Sequence, residues 1–127
     1  MRRVLIGVAM LGALAGCSAF QKPPQYTVFF QPYSADLTDQ ARATVQQAAT
    51  YALVHGTGSV FVVGYSAPPD PGKDVDGLSD KRADAVEKAL RDDGVSPDRI
   101  VTEGNGITDP GSLPQVSVRR VDIRFTR

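Results

Sequence analysis

The stretch SVFVVGYSAPPDPGKDVDGLSDKRADAV, residues 59–86, joins two strongly patterned segments through a short break. Residues 59–65 are almost continuously apolar, which is typical of a central strand covered by helices. Residues 66–74 are rich in Pro, Gly and Asp and predict a loop. From there to about Asp92, apolar side chains recur at intervals of three and four residues. We therefore predict a buried strand, a loop and a helix that ends before Gly94.

The predicted helix has two possible starting points. With Asp74 as the N-cap residue, Val75 and Leu78 extend the apolar stripe of the helix, and we favour this longer version for that reason. With Ser79 as the N-cap residue, Arg82 falls in the first turn. In the longer version, Arg82 lies on or beside the apolar stripe, where an apolar residue would be expected.

Arg82 needs a polar partner in either version of the helix. A guanidinium that loses water on an apolar stripe requires a carboxylate or several carbonyl groups in its place. A position in the first turn also favours an anion, because the backbone N–H groups of the helix start point there. Both versions therefore predict an anionic partner. One alternative is an internal ion pair with Asp36, Asp70 or Asp122, and the other is a ligand carboxylate held in two-pronged fashion.

The segments on either side of this unit complete the order β-α-β-α-β-β. Thr38 is suited to cap the first helix, and residues 120–125 alternate apolar and charged side chains as a half-buried strand does. The other segments are a strand at 26–30, a helix from about Asp39 to His55, a short strand from Arg99 to Glu103, a loop at 105–115, and a bulge or turn near Arg119. This order predicts an α/β fold, an α+β sandwich of two layers, in which a mixed β-sheet carries two main helices on one face.

The first 18 residues, MRRVLIGVAMLGALAGCS, differ in character from the rest of the chain. Two arginines precede an apolar run that is shorter than the 20 or so residues a membrane-spanning helix needs. This pattern is typical of a signal peptide. Cys17, the only cysteine, follows LAG, and LAGC resembles the lipobox of bacterial lipoproteins. The resemblance implies a lipoprotein signal peptide at 1–16, acylation of Cys17 and, because Ser18 follows, the outer membrane.

The chain is therefore predicted to have three parts. Residues 17–25 are the lipidated cysteine and a short linker, which Pro23 and Pro24 stiffen into an extended form. The eight residues after Cys17 reach at most about 28 Å. Residues 26–127 are long enough for one folded domain. The lipid on Cys17 would thus hold this domain close to a membrane.

Composition excludes several classes of function. The 127 residues contain 14 basic and 14 acidic side chains, so the strong basic excess of a nucleic-acid-binding protein is absent. His55 is the only histidine, and no second cysteine accompanies Cys17. Such a chain offers no usual set of metal ligands and no nucleophile paired with a base. We expect neither a metal nor a cofactor, and we do not expect an enzyme.

Three motifs carry a resemblance to a known family. LSDKRADAVEKAL, at 78–90, is followed by GVSPDRI, at 94–100, and by RRVDI, at 119–123. In this order they resemble the OmpA C-terminal-like domain, which also occurs in the peptidoglycan-associated lipoprotein. The resemblance extends from Tyr26 to Phe125. It implies non-covalent binding of a diaminopimelate-bearing stem peptide of peptidoglycan.

The resemblance also implies which residues contact the ligand. Arg82 matches the family's arginine, which binds the carboxylate of the stem peptide. Ser66 lies in the segment that corresponds to the family's Gly-His-Thr-Asp motif. Asp70 follows this segment and would replace the missing ammonium-binding carboxylate if the neighbouring prolines turn it inward. These three residues are the predicted ligand-binding residues.

The sequence departs from the family at three positions. Ala67 stands where the family has the ammonium-binding Asp, and Val75 and Val118 stand where it has Asn. The loss of an ammonium–carboxylate contact typically costs about 1.5–3 kcal/mol, so binding would weaken about tenfold to a hundredfold.

Two functions therefore remain open. The chain is either an outer-membrane lipoprotein with a periplasmic domain that contacts peptidoglycan and links envelope layers, or a degenerate copy of that domain. The second would not bind peptidoglycan and would act as a scaffold for envelope protein partners.

Overall fold

The computed structural model describes residues 22–56 and 58–126. The predictions about the signal peptide and Cys17 lie outside these residues. The helices and strands are β1 (Tyr26–Phe29), α1 (Asp39–Val54), β2 (Val60–Ser66), α2 (Leu78–Asp92), β3 (Ile100–Ile107) and β4 (Arg120–Phe125). Short 3-10 helices at Pro97–Arg99 and Gln115–Val118 precede β3 and β4. The predicted β-α-β-α-β-β order is confirmed.

The four strands form one mixed sheet in the order β1-β4-β2-β3. β2 is parallel to β3 and antiparallel to β4, and β1 pairs with β4 in antiparallel fashion. β2 therefore lies inside the sheet, as its apolar run predicts. Both helices pack on the same face, so the predicted two-layer α/β fold is confirmed.

The hydrophobic core lies between the sheet and the two helices. Val60 and Val62 of β2 and Val121 and Ile123 of β4 are fully buried there. The opposing face of α1 carries mainly small side chains: Ala41, Val45, Ala48, Ala49 and Ala52. These small side chains let α1 lie close to the sheet. Burial of each Val or Ile side chain stabilises the fold by about 1.5–3 kcal/mol.

The start of α1 is capped as predicted. The Thr38 side-chain oxygen accepts a hydrogen bond from the backbone N–H of Ala41 at 3.1 Å. This bond satisfies one of the free N–H groups at the helix start. The helix ends at Val54, one residue before the predicted end.

The prediction for the start of α2 is wrong in both versions. The helix begins at Leu78, and the residue before it, Gly77, has the left-handed φ of +67°. Asp74 instead closes a local turn, because its carboxylate accepts a hydrogen bond from the N–H of Asp76 at 2.8 Å. Such side-chain bonds compete with helix formation. Val75 is still buried, but it lies in the turn before the helix and not in the helix.

The predicted loop at 105–115 is wrong at its beginning, because β3 continues to Ile107. Gly104 and Gly106 lie within the strand, where α2 approaches closely. A Cβ atom on Gly104 would lie 2.2 Å from a carboxylate oxygen of Asp80. The N–H of Gly106 donates a hydrogen bond to the Ser79 hydroxyl at 2.9 Å. These two glycines therefore mark a close contact between the strand and the helix.

The charged face of β4 contains a buried carboxylate. Asp122 is 1% exposed, although Val121 and Ile123 point into the core as predicted. Arg120 and Arg124 each place a guanidinium nitrogen 3.2 Å from its oxygens. The Thr27 hydroxyl donates a further hydrogen bond. Asp122 is therefore fully paired within the sheet. At the predicted bulge or turn near Arg119, the structure has the end of the 3-10 helix at Gln115–Val118.

Candidate pocket at the end of the central strand

A pocket of about 110 Å³ opens where β2 ends. Its walls come from the loop after β1, the loop after β2, the start of α2 and the segment before β4. The lining residues are Pro32, Tyr33, Ala67, Pro68, Asp70, Val75, Leu78, Arg82, Gln115 and Arg119. Two of the predicted ligand-binding residues, Arg82 and Asp70, therefore border the same small space.

Arg82 is fully buried, with 0% of its surface exposed. Its guanidinium donates to the carbonyl oxygens of Ser34 at 2.8 Å, Tyr65 at 3.0 Å and Gln31 at 3.2 Å. The guanidinium carbon also lies 5.3 Å from the centre of the Phe30 ring, a cation–π distance. Carbonyl groups and an aromatic face thus replace the water that Arg82 loses.

The predicted internal ion pair of Arg82 is not formed. The ion pairs among residues 22–56 and 58–126 do not include Arg82. Asp122 is held by Arg120 and Arg124, and Asp70 bonds to Tyr33. The ion pair was one of two alternatives for Arg82, and three carbonyl groups take the place of its carboxylate.

The backbone conformation at Tyr33 helps to form this carbonyl site. Tyr33 has a φ of +58°, which is uncommon for a residue other than glycine. It lies between Gln31 and Ser34, whose carbonyls both accept from Arg82. Arg82 therefore connects the loop after β1, the end of β2 and α2.

Arg119 is a second cation in the wall, and the sequence prediction missed it. Its side chain is half-buried, and its Nε donates to the Phe30 carbonyl at 3.4 Å. Burial and, as a smaller effect, the nearby charge of Arg119 together lower the pKa of Arg82 to about 10. Arg119 is the first residue of the RRVDI motif, so the motif includes it. The alternation that predicts β4 begins only at residue 120 and therefore indicates no role for Arg119.

Asp70 lies at the exposed rim of the pocket. Its carboxylate accepts a hydrogen bond from the Tyr33 hydroxyl at 2.7 Å, and its backbone N–H donates to the same oxygen at 2.9 Å. The bond to the carboxylate raises the pKa of Tyr33. Asp70 is thus anchored beside the pocket by an aromatic side chain.

The other residues that the sequence comparison with the family named are apolar or do not line the pocket. Ser66 is 1% exposed, its hydroxyl has no hydrogen-bond partner among the described residues, and it does not line the pocket. Ala67 and Val75 contribute apolar wall. Val118 is buried outside the pocket.

Among residues 22–56 and 58–126, no group of three or more His, Cys, Asp and Glu side chains is placed to hold a metal ion. The helices of these residues are too short or too polar to cross a membrane.

The fold and the pocket define a two-layer α/β domain with a small cationic pocket at the carboxyl end of its central strand. The chain belongs to the OmpA family, whose sequence model matches residues 29–124. No curated protein matches the sequence.

Several solved structures resemble the chain. The peptidoglycan-associated lipoprotein from Burkholderia pseudomallei is 27% identical, with a TM-score of 0.67 over 80% of this chain and 90% of that one. The OmpA-like domain of FopA1 from Francisella tularensis subsp. tularensis SCHU S4 is 22% identical, with a TM-score of 0.68 over 80% of this chain and 73% of that one. The C-terminal domain of Helicobacter pylori MotB is 20% identical, with a TM-score of 0.70 over 80% of this chain and 84% of that one. The last two likenesses concern the fold alone.

Proposed function

We propose that this protein is a lipoprotein of the outer membrane whose periplasmic domain binds peptidoglycan without a covalent bond and without catalysis. The observation that carries the proposal is the pocket at the end of β2, where Arg82 and Arg119 lie together. Two guanidinium groups in one pocket favour a carboxylate ligand. Stem peptides of peptidoglycan carry carboxylates, and a similar structure belongs to a lipoprotein named for its association with peptidoglycan.

Sedimentation with purified sacculi tests the binding. We expect wild-type protein to appear in the pellet with sacculi and to stay in the supernatant without them. Arg119→Gln removes one cation of the pocket and should weaken this binding about tenfold, the value of one charge-assisted contact. Arg91→Gln is the matched control, because Arg91 is exposed on α2 away from the pocket. Wild-type protein that remains in the supernatant would contradict the proposal.

The anchor is tested separately by the mass of the protein extracted from membranes. The LAGC motif predicts a chain that begins at Cys17 and carries acyl groups. Several acyl chains give a stable anchor, because each buried methylene contributes about 0.8 kcal/mol. Cys17→Ala should therefore release the domain as soluble protein, whereas Cys17→Ala protein that stays with the membrane would exclude the lipid anchor.

A scaffold without peptidoglycan binding is the second candidate function. The observation in its favour is that Arg82 is fully buried and already bonded to three carbonyls. The presence of Ala67 where the family has Asp also favours a scaffold. The scaffold replaces our first proposal if wild-type protein stays in the supernatant with sacculi and Ala67→Asp moves it to the pellet.

A further inference from the structure

The sheet has a second face, the outer face, which lies opposite the two helices. Successive side chains of a strand point to opposite faces of its sheet. Because Val60 and Val62 of β2 lie in the core, Phe61, Val63 and Tyr65 lie on the outer face, where they are partly exposed. The inner strand β2 therefore presents a column of mainly apolar side chains on this face.

Charges of opposite sign lie on the two sides of this apolar column. On β4, Arg120 and Arg124 both contact the single carboxylate of Asp122, so this side is positive. On β3, Glu103 is exposed and belongs to no ion pair among residues 22–56 and 58–126. The strand register places Asp122 and Glu103 in one row, on either side of Val63. The outer face is therefore positive on one side, apolar in the middle and negative on the other.

Such a face is complementary to a second copy of itself. A two-fold axis parallel to β2 would lay β2 of one copy on β2 of the other, and β3 of one copy on β4 of the other. Glu103 would then lie between Arg120 and Arg124 of the second copy. A two-fold axis perpendicular to the strands would instead lay β4 on β4 and Glu103 on Glu103. Since like charges repel each other, the charges of the outer face favour the axis parallel to β2.

We propose that the outer face pairs with a second copy of this chain about a two-fold axis parallel to β2. The two apolar columns pack together in this dimer, and Glu103 of each copy faces Arg120 and Arg124 of the other. The proposal goes beyond peptidoglycan binding, because none of the residues that line the pocket at the end of β2 lies on the outer face.

The size of the outer face predicts a weak dimer. The two copies meet over β4, β2 and β3, which span about 14 Å across the strands and about 20 Å along the rows of Phe61, Val63 and Tyr65. The footprint on each copy is therefore roughly 300 Å². A standard interface buries about 800 Å² of accessible surface on each partner. We expect a dissociation constant on the order of 10–100 µM for this reason.

Cross-linking of the full-length protein in membranes tests the arrangement. Val63→Cys places a thiol on the proposed axis, so a short bismaleimide should join two copies. Gln47→Cys is the matched control, because Gln47 is exposed on α1 in the other layer. Wild-type protein measures the background from Cys17. Equal yields of dimer from the two variants would overturn the proposal. A Val63→Cys protein that is joined to a different protein and not to itself would also overturn it, because the outer face would then bind an envelope partner.

Sedimentation equilibrium of the full-length protein in a density-matched detergent measures the strength of the dimer. Glu103→Lys should weaken dimerisation about tenfold or more, because it places like charges opposite each other at both ends of the interface. Asp84→Lys makes the same change of charge at an exposed position on α2, in the other layer, and should leave dimerisation unchanged. Circular dichroism of each variant checks that the fold is kept. The proposal is wrong if wild-type protein stays monomeric up to about 1 mM, well above the expected dissociation constant, or if both substitutions weaken the dimer equally.

Discussion

Arg82→Ala is expected to lower the free energy of unfolding by about 3–5 kcal/mol, since it leaves three carbonyl groups and a cavity behind. The carbonyls of Gln31, Ser34 and Tyr65 lose their donor, and Phe30 loses the cation next to its ring. Removal of a buried charge offsets part of this loss. The net effect remains large because hydrogen bonds to a charged group contribute about 1.5–3 kcal/mol each.

Urea unfolding of purified protein measures this loss. Arg91→Ala is the control, because Arg91 lies on the same helix and is exposed, so its loss should be under about 0.5 kcal/mol. Equal urea midpoints for the two variants would mean that the three hydrogen bonds from Arg82 to carbonyl groups do not stabilise the fold. Because Arg82 is fully buried and its removal should destabilise the fold, Arg119 is the better residue for binding tests.

Gly64→Ala is expected to destabilise the protein by about 3 kcal/mol or more, because there is no room for a side chain between β2 and α2. A Cβ atom at Gly64 would lie 2.1 Å from the carbonyl oxygen of Ser79 and 3.2 Å from the Cβ of Ala83. The first contact is with backbone, so no rotamer change relieves it. The helix would have to move away from the sheet, and the pocket beside it would change shape.

Thermal or urea unfolding compares this variant with Gly111→Ala. A Cβ atom at Gly111 meets no atom within 4 Å, but the φ of +60° strains an alanine there, so a loss of about 1 kcal/mol is expected. We expect Gly64→Ala to lower the free energy of unfolding more than Gly111→Ala does. The reverse order would show that α2 does not approach β2 as closely as described.

The local pattern of the sequence determined the elements of the fold. The apolar run at 59–65, the alternation at 120–125 and the cap at Thr38 each depend on neighbours a few residues away, and each led to the observed element. The same patterns showed that Arg82 lies among apolar residues. They placed the two helices on one face of a mixed sheet without any knowledge of distant contacts.

Only the tertiary structure determined which groups pair with the buried charged residues. The carbonyls that bind Arg82 belong to residues 17, 48 and 51 positions away, and Asp122 is buried between arginines that the alternation pattern assigns to an exposed face. Gly106 falls in the predicted loop, but it lies in β3, where its N–H donates to the Ser79 hydroxyl. Periodicity reports which side of an element is buried, whereas the partner of a buried charge depends on how segments far apart in the chain pack together. For this reason the sequence placed Arg82 on or beside the apolar stripe but did not identify the three carbonyls that bind it.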